Sequence, residues 1–288
     1  MFNVQRSVPI EGVHEREPLL EEGLRKRIIE SSQIRFYRGD ISDHDARRLV
    51  QLNYRCLYPG RPPENLEEES QNIRFNLKHG MRITVLEYAG DAEIPLPLGR
   101  GRLVRDGQIG YNVCKRTSFF DADSLGWALE TVRAGGNVKW EELVARGFPK
   151  DYSAASEFRG DRLDGKAGFL MFITVIHPLR RLHLADPIIQ ATLSDFKAEG
   201  LDYAVAYARM PRYVESVKER WRDRDTLEGY AKAVDEKGFS PDWGLRFHQK
   251  AGGRSICAIP DCATDDIISG GHGALVVYDL TGANGRKT

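Results

Sequence analysis

The sequence predicts an α/β (α+β) chain built on a mixed, mostly antiparallel central sheet with helices on both faces and enlarged insertions. Three observations carry that prediction. Ala167 to Ile176 is an apolar or small run ending in the β-branched Ile173, Thr174, Val175 and Ile176, as expected of a strand buried on both faces. From Leu182 the positions Leu182, Ala185, Ile189, Leu193 and Phe196 recur at helical spacing, and Gly200 stands where a left-handed C-terminal cap belongs. Leu201 to Arg209 returns to strand character, giving a strand, helix, strand unit whose two strands run parallel through a right-handed crossover.

A chain of 288 residues can bury a full core as one large or two small domains. Its 42 lysines and arginines equal its 42 aspartates and glutamates, so nucleic acid and anionic membranes find no global attraction and a charged partner needs a local patch. The cysteines, Cys56, Cys114, Cys257 and Cys262, show neither C-x-x-C spacing nor the density of a disulfide scaffold. A reducing cytoplasm and no structural metal are the expectation. No apolar run approaches the roughly 20 residues that span a bilayer, and the polar N-terminus lacks the apolar core of a signal peptide.

Residues 1–32 read as a charged N-terminal arm outside the main fold, with a short helix from Leu19 to Ile29; a packing strap or a homodimer contact are the alternatives. Ile34 to Tyr37 gives a strand. Asp40 to Asp45 offers caps for a helix from Ala46 to Leu57, which Pro59-Gly60-Arg61-Pro62-Pro63 breaks. Asn65 to Lys78 is a second helix, acidic at its beginning and basic at its end as the helix dipole favours. Met81 to Tyr88 and Leu98 to Val104 read as an antiparallel strand pair. Residues 106–160, with helices at Asp123 to Val132 and Trp140 to Arg146, read as an insertion. Its Tyr111, Phe119, Phe120, Asp121, Asp123, Trp127, Trp140 and Tyr152 either line a ligand pocket or, the preferred reading, mostly make a satellite core. Residues 214–240 read as a second insertion with a solvated charged face. Arg254 to Ile259 and Ala274 to Leu280 form a closing hairpin, and 283–288 a frayed tail.

Chemistry is expected where the central strand turns into its helix, because the first N–H groups of a helix lack partners and the dipole is positive there, a natural phosphate seat. Arg180 and Arg181 stand just ahead of it. The run Arg180-Arg181-Leu182-His183-Leu184-Ala185 resembles the acyl-CoA pyrophosphate loop of the GNAT superfamily of N-acyltransferases, commonly Gln or Arg, x, x, Gly, x, Gly or Ala. Arg180 and Ala185 match, His183 replaces the inner glycine, and Asp186 brings a carboxylate into the first turn. Read without the family, the same residues make an ordinary capped helix with two solvated arginines. Leu245 to Arg254 resembles the helix and turn before the family's last strand pair, with His248 at the tyrosine position and Gly252 at the glycine.

The resemblance implies a GNAT-like acyltransferase domain over 33–282 that moves an acyl group, acetyl first, from acetyl-CoA or another acyl-CoA to an amine of a small molecule or other acceptor, without a metal. An acyl-carrier protein is the alternative donor. Backbone amides from Arg181 through Leu182, His183, Leu184 and Ala185 would hold the pyrophosphate, Arg180 or Arg181 would add charge, and the strand edge at Val175 and Ile176 would bind the pantetheine. His248 would protonate the departing thiolate. Glu157, just ahead of the central strand, is a candidate base by residue type. A silent acyl-CoA-binding module, and an enzyme that decarboxylates or hydrolyses a thioester through His248 or His177, are the other functions these residues allow.

Overall fold

The structure is a computed structural model that describes residues 18–96, 102–157, 164–218 and 226–282. The expected tail at 283–288 lies outside them. The chain divides into two compact units, one holding Ser7–Lys115 and Phe172–Ser194, the other Arg116–Met171 and Asp195–Thr288.

In the first unit, helix α1 (Pro18–Glu30) leads into strand β1 (Ser32–Arg38), with Ile28 fully buried and the Ser32 hydroxyl donating to its carbonyl at 2.6 Å. Helix α2 (Asp43–Leu57) starts where the Ser42 side chain accepts from the Asp45 N–H, and α3 (Leu66–Lys78) where Asn65 does the same for Glu68. Strand β1 pairs antiparallel with β2 (Met81–Tyr88), and β2 with β5 (Gln108–Thr117). Between them β3 (Ile94–Pro95) and β4 (Arg102–Leu103) make a separate two-stranded ribbon.

One strand reading is corrected here. Of Leu98 to Val104, only Arg102 and Leu103 are strand among the described residues; the partner of β2 is β5, which falls within the span read as an insertion. Its polar residues hide it, since Gln108, Asn112, Lys115 and Thr117 are all buried and break the apolar alternation by which a strand is recognised. Asn112 is accommodated by a hydrogen-bonded chain: its amide donates to the Thr192 hydroxyl at 3.1 Å, and that hydroxyl donates to Thr84 at 2.9 Å.

Strand β6 (Ala167–Val175) begins in the second unit and ends in the first, and helix α7 (Ala185–Ala198) does the reverse. Within the second unit β6 pairs in parallel with β7 (Tyr203–Arg209), from Ala167–Tyr203 to Leu170–Ala206, as the strand, helix, strand reading requires. Strand β7 then pairs antiparallel with β9 (Gly273–Asp279), and β9 with β8 (Arg254–Ile259). The strand order is β1-β2-β5-β6-β7-β9-β8, a mixed and mostly antiparallel sheet.

Helices α4 (Ala122–Arg133), α5 (Trp140–Ala145) and α6 (Tyr152–Ser156) belong to the second unit. Phe120, Trp140 and Phe148 join Phe169, Val205, Tyr207, Leu275 and Val277 in one apolar cluster, against which Phe119, Trp127 and Tyr152 pack. These aromatics therefore make core. Tyr111 lies apart on β5, its hydroxyl donating to Asn53. On the other face of β6, Gly168 is required because a Cβ there would stand 2.2 Å from the Phe196 ring of α7. Helices α8 (Tyr213–Lys218), α9 (Leu227–Lys232) and α10 (Trp243–Lys250) complete this unit.

Candidate functional site

The turn after β6 is built on leucines. Residues His177–Leu182 form a 3-10 segment, in which positions three apart lie above one another, so Leu179 and Leu182 enter the core together. Leu184 follows them inside, while Arg180, Arg181 and His183 face solvent. Packing thus fixes which side of the loop is free.

His183 carries the decisive geometry. It sits at φ 50°, ψ 33°, in the left-handed region, at the position where the resembled loop has glycine. Histidine is among the residues that enter this region more readily than most. The chain therefore reaches the conformation without the glycine, and α7 begins two residues later. The His183 carbonyl takes the Asp186 N–H at 3.2 Å. The Asp186 carboxylate, set against phosphate by sequence, lies 3.6 Å from the guanidinium of Arg25 on α1, which offsets its charge. Nothing in the sequence links positions 25 and 186, so Arg25 could not have been found there.

The two arginines part company. Arg180 donates to the carbonyl of Val175 at 3.3 Å and to that of Cys56, the penultimate residue of α2, at 2.5 Å. It ties loop to helix. Arg181 is exposed, and its guanidinium has no hydrogen-bond partner among the described residues. Of the strand residues expected to hold pantetheine, Ile176 spends its N–H on the Ile109 carbonyl at 2.8 Å. The Val175 carbonyl is the one that Arg180 holds. Thr174, not singled out by sequence, hydrogen-bonds the Cys56 thiol, whose pKa burial pushes up to about 12 although Arg180 and Arg55 pull it down. Cys56 is no nucleophile at neutral pH.

His248 and Glu157 lie in the other unit. The His248 ring is half-buried on α10, its Nδ1 2.6 Å from the Tyr278 hydroxyl, and burial lowers its pKa to about 4. The ring is neutral at pH 7. A general acid needs the protonated form, so the expected role meets a physical obstacle. Position adds to it: Tyr278 pairs with Ala204 near the start of β7, whereas Gly244 lies against the Arg209 carbonyl at the strand's end. From Ala204 to Arg209 is roughly 17 Å of strand, and open α/β sheets bind ligands at the C-terminal ends. Glu157 is exposed in extended backbone just after α6.

A seven-stranded sheet with one parallel pair at its centre, crossed over by α7, is the arrangement of the GNAT fold. Solved structures agree. The loading GNATL domain of CurA from Lyngbya majuscula matches with a TM-score of 0.53 at 18% identity, over 86% of this chain and 98% of that one. Malonyl-CoA decarboxylase from Rhodopseudomonas palustris matches with a TM-score of 0.56 at 11% identity, over 91% of this chain and 60% of that one. The chain has the GNAT fold. No family model and no curated protein matches the sequence. Among the described residues no helix is long and apolar enough to cross a membrane.

Proposed function

We propose that the protein is an acyl-CoA-dependent acyltransferase that moves an acyl group to an amine, with acetyl the first to test and an acyl-carrier protein as the alternative donor. The observation that supports this reading most is the left-handed His183, which gives the loop the backbone path of a pyrophosphate cradle. Amides from Leu182 to Ala185 would face the pyrophosphate, Arg181 would add charge, and the strand edge at Val175 would take the pantetheine. The amine nitrogen bonds to the thioester carbon, the C–S bond breaks, sulfur leaves as thiolate, and the proton that the nitrogen gives up reaches that sulfur by way of solvent, leaving an amide and the CoA thiol. Thioesters are already activated toward amines, so holding the two reactants together supplies much of the rate.

His248 and Glu157 are left out of the proton steps, the first because its ring is neutral, the second because exposure alone supports it. The direct test is titration with CoA and acetyl-CoA, followed by thiol release in the presence of an amine panel. Binding at micromolar concentration with amine-dependent thiol release is expected; no binding to either CoA would sink the reading, and binding without turnover would leave a silent module. A second reading is favoured by the fold match to a malonyl-CoA decarboxylase. Release of CO2 from malonyl-CoA without any amine would select it.

A further inference from the structure

A second anion seat is suggested by a small pocket in the first unit. Its cavity of about 110 Å³ is walled by Arg48, Gln51, Leu52 and Arg55 on one face of α2 and by Asp106, Gly107 and Gln108 where the chain enters β5. The volume admits one phosphate or carboxylate group but no nucleoside. Gln108 is only 4% exposed, and its side-chain nitrogen is buried with no hydrogen-bond partner among the described residues. An unpaired buried donor is costly, so such a group asks for an acceptor.

The charges agree with an anion. Arg48 is held in place by the buried carboxylate of Glu87 and by the Asp106 carbonyl, and Arg35 also pairs with Glu87, so this network carries one net positive charge. Arg55 is exposed and has no hydrogen-bond partner among the described residues. Among the lining residues the opposing charge is the exposed carboxylate of Asp106 at the rim, and Asp45 acts on Arg48 from outside the lining. Asp106 itself holds a left-handed turn at φ 61°, its N–H bonded to the Tyr88 carbonyl at 2.8 Å, so the rim is anchored.

We propose that this pocket binds a single oxyanion of a ligand, a phosphate or a carboxylate, through the Arg55 guanidinium and the Gln108 side-chain amide, with Arg48 adding charge. The oxyanion has two sources to distinguish: the 3′-phosphate of CoA, or a carboxylate on a separate ligand. The assignment itself stands without the acyl-CoA reading, since inorganic phosphate and acetate are the probes.

The experiment titrates both probes into the full chain, Arg55→Ala and Gln108→Met by calorimetry, then compares CoA with 3′-dephospho-CoA. Affinity for the preferred probe should fall roughly 10- to 100-fold in Arg55→Ala and at least severalfold in Gln108→Met, the range for a lost hydrogen bond to a charged group. Gln108→Met should melt no lower than the parent, because it removes an unpaired buried amide, and this keeps folding apart from binding. If the 3′-phosphate is the occupant, Arg55→Ala weakens CoA and leaves 3′-dephospho-CoA unchanged; if both forms are unaffected while the probe is lost, the carboxylate-bearing ligand is separate. Equal probe affinity in all three proteins, or none in the parent, overturns the proposal whatever the fate of CoA binding.

Discussion

The turn at 176–186 and the helix end at 244–253 both resemble segments of one family, yet they differ in what surrounds their polar groups. In the first, leucines go inward and the arginines and histidine go outward, so the Arg181 charge stays accessible. In the second, the residue of interest is drawn inward, tied to Tyr278 and deprived of its charge by burial. Motif position alone did not separate them; solvation did.

The largest effect that would sharpen this contrast is acid sensitivity. The His248 pKa drops from 6.5 to about 4 in the folded chain, so between those values the unfolded chain holds a proton the native one lacks. Its contribution is complete above pH 6.5 and is lost as pH falls toward 4, up to roughly 3 kcal/mol over that window. Guanidinium unfolding at pH 7 and pH 4.5 should show this loss in the parent and a clearly smaller one in His248→Gln. Equal losses would mean the ring is not the source. At pH 7 thiol release by His248→Phe should stay within severalfold of the parent, and a collapse of turnover with CoA affinity intact would return the acid role to His248.

Next in size is Arg180→Ala, which removes two bonds from a charged donor to backbone carbonyls and should cost about 2–3 kcal/mol in a denaturant titration. Arg181→Ala should unfold as the parent does, within about 0.5 kcal/mol, while CoA affinity drops severalfold. Equal behaviour of the two variants would erase the distinction drawn between them. Replacing His183 by valine, which is poorly suited to φ 50°, should cost roughly 1–2 kcal/mol and weaken CoA, whereas glycine should cost little and bind at least as well. The smallest effect is Arg25→Ala: about 0–1 kcal/mol of stability for a partly exposed pair, with a larger relative loss in CoA affinity read by calorimetry.

Most of the fold was legible because its period is local. The capping run Asp40 to Asp45, which holds Ser42, the helix that follows Asn65, the central strand, the Gly200 cap at φ 73° and the closing hairpin all announce themselves within a few residues. Strand β5 was not, because Asn112 and its threonine partners satisfy one another across spans of 80 and 108 residues, and no local pattern encodes that. The site divides the same way. The turn after the central strand was visible as a motif, whereas Arg25 beside Asp186 and the tether from Arg180 to Cys56 depend on tertiary packing alone.

The Arg25 contact bears on how the protein should be handled. Expressed from residue 33, where the first strand invites trimming, the chain would lose Arg25 along with the buried Ile28. Such a shortened protein would leave the Asp186 carboxylate without its cation at the start of α7, and a failed CoA titration of it would then report on the trimming and not on the turn.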